Sequence, residues 1–501
     1  MVERPLLAHL TAGLGWTQSL DGLPEGGVPG NPAASGRADF QAEVLTDRLR
    51  AAVHRFNPGP DGTPWLDEQR LDRIIATLVP ETQRVHAQRG LVEANRAVTD
   101  LLLDGVPVPG LPDWDGGRDQ KIQLIVWDDW RANDLCVIRQ FRLDRATDGG
   151  APFVVLDVVL FVNGIPLAVV KCKHPDQPSP IAAAIADLRA YAGQRKSGER
   201  EGVPAFFRFV QVTVATDGER AKLGTITSLP EHYAEWTTSA PATDEQVRDE
   251  LLAALPNRNP DQRLTRVDVL VAGVLRPAHL LDLVRNFSVF IQFDDRQIKI
   301  VARYQQFRAV HAIVRRLLKP GTPDEERGGI LWHTQGSGKS LTMVFLVRKM
   351  RATPGLDTFK IVVVSDRVDL QAQLSPVLAL TGEQVYVARR AADAREFLVS
   401  TTPDLTQLMI QQAQRDDTVL GADEAPVVER LVDDSDDTEL SFPELNTSPR
   451  ILLLIDEAHR NQTGWLHARL SRAVPNADFR VGDSAQPRRP ERMPAVMAAG
   501  R

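Results

Sequence analysis

A glycine-rich run, Gln335–Ser340 (QGSGKS), has the residue types and spacing that binding a nucleotide phosphate requires, and it lies between a predicted strand and a predicted helix. Gly336 and Gly338 let backbone N–H groups wrap phosphate oxygens, and the helix N-terminus adds positive potential. We expect Lys339 to reach the β- and γ-phosphates, and the Ser340 hydroxyl to coordinate Mg²⁺. The run therefore predicts an ATP site.

Two acids further along the chain complement this run. The apolar segment Ile451–Ile455 leads directly into Asp456 and Glu457. Asp456 at the end of a buried strand is expected to hold Mg²⁺, and Glu457 to polarise the attacking water as a general base. Taken alone, the acids could simply begin a helix, but a preceding strand in a parallel sheet favours the nucleotide site.

A glutamine pair precedes the glycine-rich run, in the segment Tyr304–Phe307 (YQQF). The amide of Gln305 presents both a donor and an acceptor, which suits the edge of adenine, so Gln305 is predicted to bind the nucleotide base. The alternative, a surface glutamine pair on an amphipathic helix, stays open.

A different pattern marks the amino-terminal half. Two apolar runs, 157–162 and 165–170, are joined by Asn163-Gly164, the favoured dipeptide of a tight turn, so they predict a β-hairpin. Lys171 and Lys173 alternate along the second strand and would share one of its faces. Asp157, on the first strand, could approach that face.

The elements that must position these residues predict an α/β protein. Short runs rich in Val, Ile and Phe, with a helix among them, predict a mixed α/β domain over residues 1–280. Strands alternating with helices then predict a parallel, doubly wound lobe over 281–475. The segment 476–501 is rich in Arg and Pro, and we predict it to be irregular and without strands.

The composition is that of an ordinary globular protein. The chain has 501 residues, 43% of them hydrophobic, and a formal net charge of −7, which excludes collagen-like and wholly disordered classes. A net acidic total does not exclude a nucleic-acid partner, because the position of the charges decides binding. Cys136 and Cys172 cannot build a disulfide framework or a zinc site. Since no signal peptide or membrane span is evident, we expect a cytoplasmic protein.

Four runs resemble a known motor family: YQQFRAV, WHTQGSGKSLTM, VVVSDRVDLQAQL and LLLIDEAHR. They are similar to the superfamily 2 helicase-like motor of type I restriction endonuclease R subunits. The resemblance implies a first RecA-like lobe that uses ATP and Mg²⁺ to translocate double-stranded DNA. It also implies work in a complex with methyltransferase and specificity subunits.

The hairpin region resembles the PD-(D/E)xK nuclease core of the same family, so it implies a restriction-endonuclease-like domain. By position, Asp157 matches the first acid, a ligand of Mg²⁺, and Lys173 matches the lysine that orients water. The second acid of the family corresponds to position 171, where this chain has Lys171. Because a cation there repels a metal, we expect impaired cleavage. Asp187, where the family tends to have Gln in a Gln-x-x-x-Tyr motif, is a candidate for the missing carboxylate.

The resemblance covers residues 1–475 and the amino-terminal part of the family architecture. In the family a second motor lobe follows, and the segment after residue 475 lacks its motifs, so the sequence predicts a truncated or frameshifted product, or a fragment of a split gene. Two alternatives to an active restriction subunit remain. One is a non-catalytic remnant that binds DNA or ATP, or docks on the other subunits. The other is an unrelated P-loop ATPase fused to an α/β domain.

Overall fold

The structure is a computed structural model that describes residues 2–19, 21, 30–145, 153–194, 202–319, 329–333, 338–365, 374–388, 391–409, 444–455, 473–482 and 496–499. Its contacts divide the chain into two units, Met1–Tyr304 and Gln305–Arg501. Residues 281–304, which the sequence analysis assigned to the second domain, therefore pack with the first unit. Within the described residues, no helix is long and apolar enough to cross a membrane.

The first unit combines short helices with one large sheet. Its α-helices are α1 (Glu3–Ala8), α2 (Thr46–Phe56), α3 (Glu68–Ala76), α4 (Thr82–Arg89), α5 (Leu91–Asp104), α6 (Pro180–Tyr191), α7 (Pro204–Phe207), α8 (Asp244–Ala254), α9 (Arg266–Leu270) and α10 (Pro277–Asn286). Single π-helical turns continue α1, α3 and α9.

Its strands are β1 (Thr17–Ser19), β2 (Val106–Val108), β3 (Gln120–Ile122), β4 (Leu135–Asp144), β5 (Phe153–Val162), β6 (Ile165–Cys172), β7 (Val212–Thr216), β8 (Ala221–Gly224), β9 (Ala234–Glu235), β10 (Ser288–Phe293) and β11 (Arg296–Val301). Seven of them form a mixed sheet in the order β1-β4-β5-β6-β7-β8-β9. The β4–β5 and β5–β6 pairs are antiparallel and the β6–β7 pair is parallel. The pairs β10–β11 and β2–β3 form separate antiparallel ribbons.

The predicted hairpin is confirmed as β5–β6, with Val162 paired to Ile165 across the turn. Asn163 and Gly164 both have positive φ, 51° and 79°, as a two-residue turn of this hand requires. A side chain at position 164 is excluded because its Cβ would lie 2.3 Å from the Leu45 carbonyl oxygen. The turn is thereby fixed against α2, and with it the register of the two central strands.

The core of the first unit lies on the face of this sheet that α6 covers. Strands β4 and β5 supply Phe141 and Phe161, which pack edge to face with ring centroids 5.1 Å apart. Ile185 and Leu188 of α6 pack into the same cluster. Burying one face of α6 in this way fixes which of its polar residues face the end of β6.

The second unit is a parallel-sheet lobe. Its helices include α11 (Tyr304–Leu317), α12 (Lys339–Arg351) and α13 (Ala391–Val399). Its strands are β12 (Gly329–His333), β13 (Lys360–Ser365), β14 (Val385–Ala388), β15 (Leu405–Met409), β16 (Ile451–Ile455), β17 (Asp478–Gly482) and β18 (Val496–Ala499). They pair in the order β14-β15-β13-β16-β17-β12-β18. Every residue of β13 and β16 is buried, as expected for strands covered on both faces.

The prediction that residues after 475 form no strands is wrong. Strand β17 lies between β12 and β16, and β18 pairs with the other edge of β12, all in parallel register. Both strands are short, and a parallel strand is stabilised by partners far away in sequence, so local periodicity did not reveal them. The strand before the glycine-rich run and the strand before Asp456 are therefore separated by one strand of the same sheet.

Candidate functional site

Strands β5 and β6 separate beside Asp157. Their ladder ends at Val158 paired with Val170, whereas β6 continues to pair with β7 as far as Cys172 and Thr216. The Asp157 carboxylate lies at this separation, and its Oδ2 accepts a hydrogen bond of 2.7 Å from the Cys172 backbone N–H. Asp157 is only 7% exposed, so the carboxylate satisfies a backbone donor in a buried position.

Lys171 supplies the second partner of this carboxylate. Its Nζ donates to Asp157 Oδ1 at 2.9 Å and to the Tyr191 hydroxyl at 3.3 Å. The ammonium also lies 5.4 Å from the centre of the Tyr191 ring. A second carboxylate, that of Asp187, is 3.8 Å from the same nitrogen. Lys171 therefore holds a positive charge between the two aspartates.

Lys173 completes the cluster from just beyond the end of β6. Its Nζ lies 2.7 Å from Asp187 Oδ2, and its backbone N–H donates to the Thr216 carbonyl at 2.9 Å. Lys171 and Lys173 thus both reach Asp187 on α6, because residues two apart along an extended chain point to the same side. We refer to Asp157, Lys171, Lys173 and Asp187 together as the ion-pair cluster; its formal charges cancel.

Burial and charge act in opposite directions on the pKa values in this cluster. Burial lowers the pKa of Lys171, but the Asp157 carboxylate and the Tyr191 hydroxyl outweigh it and raise that pKa above its usual value. Burial raises the pKa of Asp157, while Lys171 and the Cys172 amide lower it. The net result is that the pKa of Lys171 is raised and that burial leaves the pKa of Asp157 above its ordinary value as well.

The donor set does not fit a divalent metal. Both Asp157 oxygens already accept hydrogen bonds, and one of these donors is an ammonium that repels a cation. Among the described residues, no group of three or more His, Cys, Asp or Glu side chains is placed to hold a metal ion. Asp187, the candidate replacement for the missing carboxylate, is instead engaged with Lys173.

Sequence reasoning missed Glu3 of α1, which also acts on this region. Its carboxylate accepts from Arg139 Nε at 2.5 Å and from Gln140 Nε2 at 2.8 Å, both on β4. The Glu3 charge further raises the pKa of Asp157. No periodicity or motif considered above pointed to Glu3, since it is remote from the hairpin in sequence.

In the second unit, the described part of the glycine-rich run begins at Gly338. This residue precedes α12 with φ 82° and ψ 45°, a left-handed conformation that favours glycine. The Gln306 amide donates to the Gly338 carbonyl at 3.0 Å. A Cβ at position 338 would lie 2.7 Å from that amide nitrogen. Gln306, which sequence reasoning passed over in favour of Gln305, therefore fastens α11 to the end of the glycine-rich run.

Of the other predicted nucleotide ligands, three lie within the described residues and three lie outside them. Lys339 and Ser340 form the first turn of α12 and are half-buried. Gln305 is the second residue of α11, and its Oε1 is buried without a hydrogen-bond partner among the described residues. Gly336, Asp456 and Glu457 lie outside the described residues.

Comparison with known proteins gives two family matches that together cover most of the chain. Residues 1–232 match the family described as "Type I restriction enzyme R protein N terminus", and residues 305–482 match "SWI2/SNF2 ATPase".

The HindI endonuclease subunit of Haemophilus influenzae, a type I restriction enzyme, is 28% identical over 480 residues, which is 92% of this chain and 40% of that protein. The putative MjaIXP endonuclease subunit of Methanocaldococcus jannaschii is 25% identical over 453 residues, which is 89% of this chain and 39% of that protein. The chain therefore spans about two fifths of the length of these relatives.

Proposed function

Because the chain belongs to the family of type I restriction enzyme endonuclease subunits, with a SWI2/SNF2 ATPase domain after its nuclease-like domain, we propose that it is an ATP-binding R subunit whose DNA-cleavage site is impaired. The proposal carries over the activity of the family. That activity is ATP-driven translocation of double-stranded DNA, coupled to Mg²⁺-dependent endonucleolytic cleavage. Methyltransferase and specificity subunits are the proposed protein partners.

The observation that carries the impairment is the Lys171 ammonium, 2.9 Å from Asp157 Oδ1. Cleavage of this class needs two carboxylates at the metal and a lysine that orients water. Here Asp157 is the first carboxylate and Lys173 is the lysine, but the place of the second carboxylate carries a positive charge. Lys173 is itself paired with Asp187, so it is held away from the role of orienting water.

Nucleotide binding is supported by the second unit. Lys339 would contact the β- and γ-phosphates, backbone amides of Gly336 and Gly338 would line them, and Gln305 would meet the adenine edge. The Gln305 Oε1, which is buried and has no hydrogen-bond partner among the described residues, and the left-handed backbone of Gly338 favour this assignment.

Ser340 and Asp456 would hold the Mg²⁺ of the nucleotide, which supplies charge neutralisation at the phosphates when it is bound. Glu457 would accept a proton from the attacking water.

The second candidate function is a non-catalytic chain that binds DNA or ATP, or docks on the other subunits. It is favoured by the pairing of both lysines of the ion-pair cluster with aspartates. A cluster whose charges cancel internally fastens α6 to the sheet, which is a structural role. The two functions differ in whether replacing Lys171 restores cleavage.

A plasmid-nicking assay with Mg²⁺ or Mn²⁺ tests the proposal. We expect the wild type to leave supercoiled plasmid intact, and Lys171→Glu to nick it in a metal-dependent way. The matched control is Lys171→Glu combined with Asp157→Asn, which should be inactive. Wild-type nicking equal to that of Lys171→Glu would overturn the impairment. No nicking by either protein would favour the non-catalytic function.

A further inference from the structure

Lys299 is a fully buried lysine that the proposed function does not use. It lies on β11, the second strand of the ribbon formed by β10 and β11, which we call the 288–301 hairpin. Its pairing partner across the ribbon is Phe290, and its Nζ lies 5.0 Å from the centre of that ring. Lys299 is 2% exposed although the tip of the hairpin, at Phe293, is 60% exposed. The base of the hairpin is therefore anchored while its tip projects into solvent.

The Lys299 side chain ends among three neutral acceptors. Its Nζ donates to Asn95 Oδ1 at 2.9 Å and to Thr99 Oγ1 at 3.3 Å, both on α5, and also to Gln211 Oε1. These three oxygens match the three hydrogens of an ammonium. None of them carries the negative charge that would offset the removal of that ammonium from water.

The surrounding structure fixes this cage. The Asn95 amide donates to the Arg208 and Val210 carbonyls, each at 2.9 Å, and the Gln211 amide donates to the Phe209 carbonyl at 3.0 Å. The acceptor oxygens consequently point at Lys299 and cannot rotate away without breaking other hydrogen bonds.

The backbone of Lys299 is also held. The Thr225 hydroxyl donates to the Lys299 carbonyl at 2.9 Å, and the Lys299 N–H donates to the Thr227 hydroxyl at 2.9 Å. Lys299 thus joins the hairpin to α5, to the segment before β7 and to the loop after β8.

Few charges act on this buried group. Among the described residues, Asp100 of α5 is the ionisable group whose charge favours the ammonium. Two further charged residues of α5, Glu93 and Arg96, lie near Gln297, which is two residues before Lys299 on β11. With the Gln297 amide oriented to satisfy both contacts, its nitrogen is 3.2 Å from Glu93 Oε1 and its oxygen is 2.9 Å from Arg96 Nη1. Burial dominates and lowers the pKa of Lys299 from 10.5 to about 7.

We propose that the protonation state of Lys299 sets how firmly the 288–301 hairpin is docked on α5 and the segment before β7, so that docking is tighter at pH 8 than at pH 6. The direction of this pH dependence follows from the linkage between proton binding and docking. In an undocked hairpin Lys299 is exposed to water and binds its proton up to about pH 10.5, whereas the docked form releases it near pH 7. Docking therefore gains stability as the pH rises from about 7 towards 10.5.

Along the chain, the hairpin leads directly into the second unit. Val301 ends β11, and α11 begins at Tyr304 with Gln305 and Gln306 in its first turn. The Ala302 N–H donates to the Phe287 carbonyl at 2.8 Å and closes the base of the hairpin. A change in how firmly the hairpin docks would therefore occur in the chain segment directly before Gln305, the predicted adenine-binding residue.

Amide hydrogen exchange of the full chain at pH 6 and pH 8, corrected for the intrinsic exchange rate, tests the proposal. We expect protection of the hairpin amides to rise about tenfold between these pH values in the wild type. In Lys299→Met the rise should be absent. Amides of β5 serve as the internal control and should show no such rise.

A second variant retains the lysine. Gln211→Glu places a carboxylate against Nζ, which raises the pKa of Lys299, so hairpin protection should become independent of pH between 6 and 8. A wild-type hairpin whose protection is the same at both pH values would overturn the proposal. A tenfold rise that persists in Lys299→Met and in Gln211→Glu would also overturn it.

Discussion

The side-chain nitrogen of Lys171 lies 2.9 Å from Oδ1 of Asp157, at the point where β5 and β6 separate. Under the proposed function, a fixed ammonium therefore lies beside Asp157 at the position of the second carboxylate. The Asp187 carboxylate, 3.8 Å away, brings a second negative charge to the same ammonium. We propose that this ion-pair cluster excludes a divalent metal from the position beside Asp157.

Lys171 should contribute more to stability than Lys173 does. The Lys171 and Asp157 side chains are 11% and 10% exposed, whereas those of Lys173 and Asp187 are 23% and 28% exposed. Lys171→Met leaves a buried carboxylate without its cation and should lower the free energy of unfolding by about 3 kcal/mol. Lys173→Met should cost about 1 kcal/mol or less. Urea unfolding measures both, and equal losses would contradict this ranking.

Removing the Lys171 charge should raise the pKa of Asp157. Lys171 lowers that pKa, against the burial that raises it. In Lys171→Met we expect the pKa of Asp157 to rise further, because the adjacent opposite charge that lowers it is lost. Carboxyl-carbon NMR of labelled aspartate reports the titration, with Asp157→Asn assigning the signal. A pKa that is unchanged in Lys171→Met would show that the two groups are not coupled as the distance indicates.

The neighbouring glutamines of α11 should affect nucleotide binding differently. The Gln306 amide donates a hydrogen bond to the Gly338 carbonyl, so Gln306→Ala should weaken the binding of ATP and of GTP alike, by about tenfold. Gln305 is proposed to meet the adenine edge, so Gln305→Ala should reduce the preference for ATP over GTP. Equilibrium binding of fluorescent ATP and GTP analogues separates the two effects. A loss of base preference in Gln306→Ala with none in Gln305→Ala would reverse the assignment.

Much of the first unit could be predicted from local patterns. The Asn163-Gly164 dipeptide between two apolar runs identified the β5–β6 hairpin, because such a turn is determined by the residues that form it. The contacts of Lys171 were harder to predict from the sequence. The alternation rule placed it on a face with Lys173, but its hydrogen bond to Asp157 depends on where the two strands separate.

Other features depended on structure remote in sequence. Gln305 and Gln306 are adjacent and chemically identical, and only their rotation about the helix axis decides which one reaches Gly338. Strand β17 is short, and it is stabilised by β12 and β16 on either side, which no local window includes. Glu3 contacts β4 and its charge raises the pKa of Asp157, and the sequence carries no spacing signal for either effect.

Calorimetric titration with Mn²⁺ in the absence of nucleotide tests the central claim most directly, because it measures the metal site apart from cleavage. The account predicts no binding by the wild type at micromolar Mn²⁺, and binding by Lys171→Glu that is lost when Asp157→Asn is added. Tight Mn²⁺ binding by the wild type that Asp157→Asn abolishes would contradict it, since Lys171 would then not exclude the metal.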